Sequence, residues 1–347
     1  MKKIIITGFS LLVIHSFSYS QGCVAIRNVA GISPDLLFDN IQPDDKLIFN
    51  VTNRYFEASS TFRGDKFITD TLVTNRIYTL NITALRMLRN GWSLALSVPV
   101  SANSRNNGGD HKGLGTLPRY TTRSFGLGDI RFTVYKWLLD PASYKKGNIQ
   151  AGLGLKFPTG DFRYQDYFYR KDDSTVLAPV DQAIQLGDGG TGLTTELSAF
   201  YSFNKTISLF VHGFYLVNPR EQNGVSNLKG RNATALEIKN NTTVMSVPDQ
   251  YSFRGGANIQ YQKMAFTTSF RYEKVPVNDL IGGNKGFRRA ATVSSIEVGA
   301  TYKMKGTLVF ANFGIPFKRD IVQNTENNNT PAGFADCVVY FGTQFKL

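Results

Sequence analysis

Apolar and polar residues alternate with a period of two through most of this chain, which is the pattern of strands with two different faces. In the stretch Asn148 to Pro158, Ile149, Ala151, Leu153, Leu155 and Phe157 fall on one face, and Asn148, Gln150, Gly152, Gly154 and Lys156 fall on the other. Ser252 to Tyr261, Met264 to Glu273 and Ser295 to Lys303 repeat the scheme. About twelve such segments are predicted, each near the ~9–11 residues that a tilted strand needs to cross a hydrocarbon core. They begin near Leu47, Arg76, Trp92, Phe125, Asn148, Gly192, Thr206, Tyr251, Met264, Thr292, Thr307 and Phe334.

The connections alternate in length. Arg89-Asn90-Gly91, Asn204-Lys205, Gln262-Lys263 and Lys303 to Gly306 are tight, and Asp140 to Gly147 is a longer member of the same set. Between them come the polar stretches Thr61 to Asn75, Ala102 to Ser124, Thr159 to Gly190, Asn218 to Asp249, Asn278 to Arg289 and Arg319 to Gly333. Short turns on one rim and long loops on the other describe a closed antiparallel transmembrane β-barrel with periplasmic turns and extracellular loops. Closure follows from physics, because an open sheet edge in lipid leaves backbone N–H and C=O groups unpaired. Tyr55, Tyr201, Tyr261 and Phe317, near segment ends, suit aromatic girdles. Pro99, Pro158, Pro219, Pro276 and Pro316 are expected to mark where outgoing strands give way to loop, since proline cannot donate to a ladder.

The N-terminus changes the picture of location. Lys2 and Lys3, an apolar run from Ile4 to Ile14, and Ser18-Tyr19-Ser20 read as a secretory signal over residues 1–20, cleaved before Gln21. The apolar run is too short to be an anchor helix. A lipoprotein signal at Cys23 would want Leu where Ser20 stands. Residues 21–45 are then a periplasmic or lumen-entering segment, and 46–347 the barrel, bound for the bacterial outer membrane. The last segment ends in Phe345-Lys346-Leu347, an amphipathic terminus of the kind that the barrel-assembly machinery reads.

Composition agrees. The chain is 42% hydrophobic and 13% aromatic, with 32 Gly, and its mean hydropathy of -0.18 is too polar for a helical membrane protein. Net charge is +13, or +11 without Lys2 and Lys3. In an exported chain this favours anionic lipid, including lipopolysaccharide, over nucleic acid as the partner.

Catalytic chemistry is sparse. Outside the signal the only histidines are His111 and His212. His212, with Ser208 along the same strand, is the one candidate base for an outer-membrane lipid hydrolase, but a plain lumen histidine is the simpler reading. The Gly126-Leu127-Gly128 and Gly152-Leu153-Gly154 strings sit inside strand patterns and are not nucleotide loops. Asp188-Gly189-Gly190 and the run from Asp279 to Gly283 lack a full set of calcium ligands. No cofactor and no enzyme activity are expected. The polar faces carry more information: Arg54, Asp129, Arg131, Lys156, Glu196, His212, Arg254, Arg271, Glu273 and Glu297 are predicted to line the lumen, as a route for a small solute or as a filled core that only stiffens the barrel. Cys23 and Cys337 are candidates for a disulfide, with residues 21–45 climbing the lumen; about 25 extended residues have the reach. Strict alternation from Leu347 counts against it, because it turns Cys337 towards lipid.

Several strings resemble a family of Bacteroidota outer-membrane barrels described as transporters. They are Gly22-Cys23-Val24-Ala25-Ile26-Arg27, Asn53-Arg54-Tyr55-Phe56, Arg119-Tyr120-Thr121-Thr122, Phe125-Gly126-Leu127-Gly128-Asp129-Ile130, and Gly152-Leu153-Gly154-Leu155-Lys156-Phe157-Pro158-Thr159-Gly160-Asp161. Val180-Asp181-Gln182, Gly187-Asp188-Gly189-Gly190, Asn218-Pro219-Arg220-Glu221 and Val275-Pro276 through Asp279-Leu280-Ile281-Gly282-Gly283 add to it. The Gly-Leu-Gly-Asp and Leu-Lys-x-Pro-Thr-Gly-Asp strings also resemble the wider meta-pathway phenol-degradation family. The resemblance implies a channel for a hydrophobic or aromatic compound and carries over no catalytic or binding residues. A surface barrel whose loops contact a partner is the alternative.

Overall fold

The computed structural model describes residues 47–68, 73–107, 110–111, 120–141, 143–170, 172–322 and 332–347. The expected signal sequence, residues 21–45 and Cys23 lie outside them. Twelve antiparallel strands close into a barrel. They are β1 (Leu47–Ala58), β2 (Val73–Met87), β3 (Trp92–Asn107), β4 in two halves (Thr121–Leu127 and Arg131–Trp137), β5 (Gly147–Lys156), β6 (Gly192–Ser202), β7 (Ile207–Val217), β8 (Gln250–Tyr261), β9 (Met264–Val275), β10 (Ala291–Met304), β11 (Thr307–Ile321) and β12 (Cys337–Lys346). Each pairs with its sequence neighbour, and β1 closes the ring on β12 from Ile48↔Lys346 to Glu57↔Cys337. Every strand but the first half of β4, which pairs with β3 alone, therefore has two partners, which is what a sheet in lipid requires.

The faces sort as the alternation predicts. On β5, Ile149, Leu153 and Leu155 are exposed while Asn148, Gln150 and Lys156 are buried. On β9, Phe266 and Phe270 point out and Thr267, Ser269 and Arg271 point in. Tyr55, Tyr201, Tyr261 and Phe317 are all exposed on the outer face. The Asn-Gly turn between β2 and β3 puts Asn90 at φ 58° and Gly91 at φ 72°, the left-handed values that a tight hairpin turn demands and that these two residue types tolerate. Leu347 N donates to Leu47 O at 3.0 Å, so both ends of the barrel lie on the short-turn rim.

Three expectations need correction. The stretch Ala102 to Ser124 is not all loop. β3 runs to Asn107 and β4 resumes at Thr121, and their polar residues Asn103, Arg105, Thr122 and Ser124 read as loop only because they are buried inside the lumen. Pro158, Pro219 and Pro276 do follow strand ends, but Pro316 lies within β11, beside a register shift at Ser294/Ser295. Pro99 lies in the middle of β3, opposite Asn81 of β2. The final strand begins at Cys337 rather than Phe334; Ala332–Phe334 pairs instead with Ser60–Arg63 above the barrel.

Candidate functional site

Pro99 marks a deliberate fault in the wall. On one side β3 pairs with the first half of β4 from Val100 to Asn106, and with the second half from Trp92 to Ser97. Between them β4 breaks at Gly128-Asp129-Ile130. Proline has no N–H to give to the ladder, and its carbonyl instead accepts from Gly128 N at 2.8 Å.

The Leu-Lys-Phe-Pro-Thr-Gly-Asp string docks into this fault. Phe157 N donates to Ile130 O at 2.8 Å. Thr159 Oγ1 accepts from Ile130 N at 2.9 Å and donates to Gly128 O at 2.8 Å. Asp129 Oδ1 accepts from Gly160 N at 3.1 Å, and Oδ2 from Asp188 N at 3.2 Å. Lys156 pairs with Asp188 and lies 3.7 Å from Asp129. The two glycine-containing strings that stand about thirty residues apart in sequence are thus one structural joint, and Asp129 is its pin.

From this joint the segment 157–191 turns into the barrel. Its hairpin (Gln165–Tyr169 with Thr175–Pro179) leads to a short 3₁₀ turn, Gln182–Ile184, capped by Asp181, whose carboxylate accepts from Ala183 N at 2.9 Å. Val180 and Ile184 are fully buried against Phe56, Ile77, Val338 and Tyr340 of the inner wall. The Ile184 carbonyl accepts from Asn103 Nδ2 at 3.3 Å and from Ser124.

Asp181 is the electrostatic centre of the insert. It lies 3.0 Å from Lys229, 3.0 Å from Arg289 and 3.6 Å from Arg105. Asp110 shares two of these cations, Arg105 at 2.9 Å and Lys229 at 2.7 Å. Burial works against ionising both carboxyls, but the cations outweigh it. Asp110 is held down to about 2, by Lys229 and then Arg105. Asp181 is held well below the usual carboxylate range, by Arg105, Arg289 and Lys229. Next to Asp110, burial pushes the His111 imidazole down despite that carboxylate, and its Nδ1 accepts from Tyr169 N at 3.0 Å.

The predicted lumen residues fall into three groups. Arg54, Asp129, Arg131 and Lys156 meet around one internal cavity of about 50 Å³ beside the inserted segment, with Asp188, Leu186, Phe214 and Leu216. That space suits a few waters. Across β8, β9 and β10, Arg254 lies 2.5 Å from Glu297, and Arg271 lies 2.7 Å from Glu273 and 3.7 Å from Glu297. Glu196 accepts from the Tyr135 hydroxyl at 3.0 Å, and His212 Nδ1 is 2.8 Å from Ser198 Oγ. Ser208 is not the neighbour of His212: four residues along an extended strand separate two side chains by about 13 Å, and Ser208 faces Asn258 instead. The carboxylates of Asp188 and Asp279 are engaged by Lys156 and Arg288. Cys337 shares the outward parity of Val339 and Phe341, opposite buried Val338 and Tyr340.

Sequence reasoning missed the residues that hold the insert: Arg105, Asp110, Asp181, Asp188, Lys229 and Arg289. Five of the six stand in irregular loop, where no periodicity announces a partner.

No protein-family model matches the chain, and no curated protein matches it. Among solved structures, the COG4313 outer membrane channel from Pseudomonas putida F1 aligns with a TM-score of 0.60 at 12% identity, over 89% of this chain and 97% of that one. The chain has the fold of an outer-membrane β-barrel. The CymD monoaromatic hydrocarbon channel (TM-score 0.45, 11% identity, 90% and 91% coverage) and the KdgM porin (0.40, 8%, 86% and 99%) align more loosely.

Proposed function

We propose that this protein spans the bacterial outer membrane and passes a small hydrophobic or aromatic solute through its lumen, past the inserted segment 157–191. The observation that carries this reading is the seat of Val180 and Ile184. On the inner wall Phe56, Ile77 and Val338 form an apolar strip, and the insert's two aliphatic side chains cover it. If the insert moves aside, that strip offers an apolar solute the contacts Val180 and Ile184 now make, and the ionic contacts around Asp181 can be remade with water.

The rival reading is a barrel with a permanently filled core, favoured by the Arg254–Glu297 and Arg271–Glu273 pairs, which neutralise one another's charge without solute. Planar-bilayer conductance and uptake of a neutral aromatic into proteoliposomes separate the two. Transport predicts brief openings in the wild type and more of them in Asp181→Asn. Silence from both, with no solute flux, sinks the transport reading and leaves the filled barrel.

A further inference from the structure

The short-turn rim is basic all round. Its turns carry Arg89 (β2–β3), Lys145 and Lys146 (β4–β5), Lys205 (β6–β7), Lys263 (β8–β9) and Lys305 (β10–β11), against a single acid, Asp140. The long-loop rim is mixed, carrying acids of which some are held in ion pairs, such as Asp181–Arg289 and Asp279–Arg288.

At one place this basic rim opens into a groove. Next to the β4–β5 turn an outward-facing depression of about 770 Å³ lies on the lipid side of the wall, between Leu139, Tyr144 and Ile149 on one flank and Tyr201 on the other. Two small residues cut its floor, Gly147 and Ala199. A side chain at Gly147 would collide with the Phe200 carbonyl, 2.9 Å from where its Cβ would stand. Lys145 and Lys146 stand at the groove's mouth, both exposed, and no ion pair among the described residues engages them. The turn that presents them is ordered: Tyr144 N donates to Asp140 O at 2.9 Å and Ser143 Oγ to the Asp140 carboxylate at 2.6 Å, so the one nearby acid is bonded within the turn.

From this geometry we infer a binding site for an anionic glycerophospholipid of the periplasmic leaflet. The phosphate sits between Lys145 and Lys146, and an acyl chain runs along Ile149 between the flanking aromatic rings. A cation pair on a rim attracts an anionic headgroup, and an apolar channel continuing from it into the hydrocarbon distinguishes a lipid from a free anion. The exposed tyrosines Tyr144 and Tyr201 suit the boundary, with an apolar ring and a polar tip. The inference rests on the membrane orientation and not on transport, so failed conductance leaves it standing.

Trp92 provides the readout, because the other tryptophan, Trp137, is buried. Trp92 is exposed on the outer face, stacks under Lys136 at 5.2 Å and is adjacent to Gly91, which approaches Pro141 of the same β4–β5 turn. The full-length protein is folded into phosphatidylcholine vesicles containing a minor fraction of acyl-brominated phosphatidylglycerol, or of acyl-brominated phosphatidylcholine. Tryptophan quenching then reports which lipid sits beside the groove. The wild type is expected to prefer phosphatidylglycerol by about fivefold or more, in line with ~1 kcal/mol per surface cation. K145A/K146A is expected to lose that preference and K145R/K146R to keep it. Both lysines are exposed, so heat-shifted gel migration should report a folded barrel in each variant. Equal quenching by the two lipids overturns the site, as does a preference that survives in K145A/K146A. Loss of the preference when excess inorganic phosphate is added would assign the cations to free phosphate and overturn the lipid.

Discussion

The Asp181 carboxylate accepts a hydrogen bond from the Arg289 guanidinium at 3.0 Å, joining positions 108 residues apart across the mouth of the lumen. Arg289 lies in the loop before β10 and Asp181 sits on the insert, so this bond ties the insert to the rim of the wall. Lys229, from a third loop, closes the arrangement.

Removing the charge should release the insert without unfolding the barrel. Asp181→Asn leaves Arg289 without its carboxylate and Arg105 and Lys229 with Asp110 alone, and breaking a buried pair in this way costs about 3–5 kcal/mol. The loss falls on the segment 157–191 and the loops that meet it, not on the strand ladder. Limited proteolysis should nick that segment in the variant and spare it in the wild type, while heat-shifted migration of the barrel is unchanged.

The insert should respond to acid only at low pH. Asp110 and Asp181 have folded pKa values below their unfolded ones. Their stabilisation is therefore fully present above the unfolded carboxylate value of about 4 and fades as pH falls towards about 2. Proteolysis by an acid-stable protease, or conductance, followed from pH 7 to pH 3 should be flat down to about pH 4.5 and rise below it. A transition centred near pH 6 would contradict this assignment.

The joint at the β4 break should tolerate no side chain. At Gly160 a Cβ would lie 2.8 Å from the Gly187 nitrogen, so Gly160→Val must push the segment out of register, at an overpacking cost of about 1–3 kcal/mol. The same release of the insert is expected as for Asp181→Asn, read by the same proteolysis, although the site is on the opposite end of the segment.

The pairs across β8 to β10 should behave as buried ion pairs do. Glu297→Gln strands Arg254 and should lower stability by about 3–5 kcal/mol. The double change Arg254→Met with Glu297→Leu, which removes both charges and keeps bulk, should come close to wild type. Urea denaturation in detergent micelles, followed by tryptophan fluorescence, measures both.

The barrel is legible in the sequence. A period of two over twelve segments decides which side chain faces lipid, and turns of alternating length decide which rim each strand meets; both are local, so Ile149 against Gln150 can be read without knowing any neighbour. The sequence also separates the inward from the outward face along each strand, because parity alone decides that. What the inward residues touch depends on how the loops fold back onto the wall. Thr159 meets Gly128 and Asp129 meets Gly160 across thirty-one positions, and Asp181 meets Arg289 across far more. Such contacts are made by irregular backbone, which has no period to betray it, and by charges whose partners lie in other loops. Pro99 shows the same limit. As a residue it signals a fault in hydrogen bonding, and the sequence placed that fault at a strand's end. In the folded wall it falls mid-strand, because the missing donor is needed there to let β4 break and the inserted segment take hold.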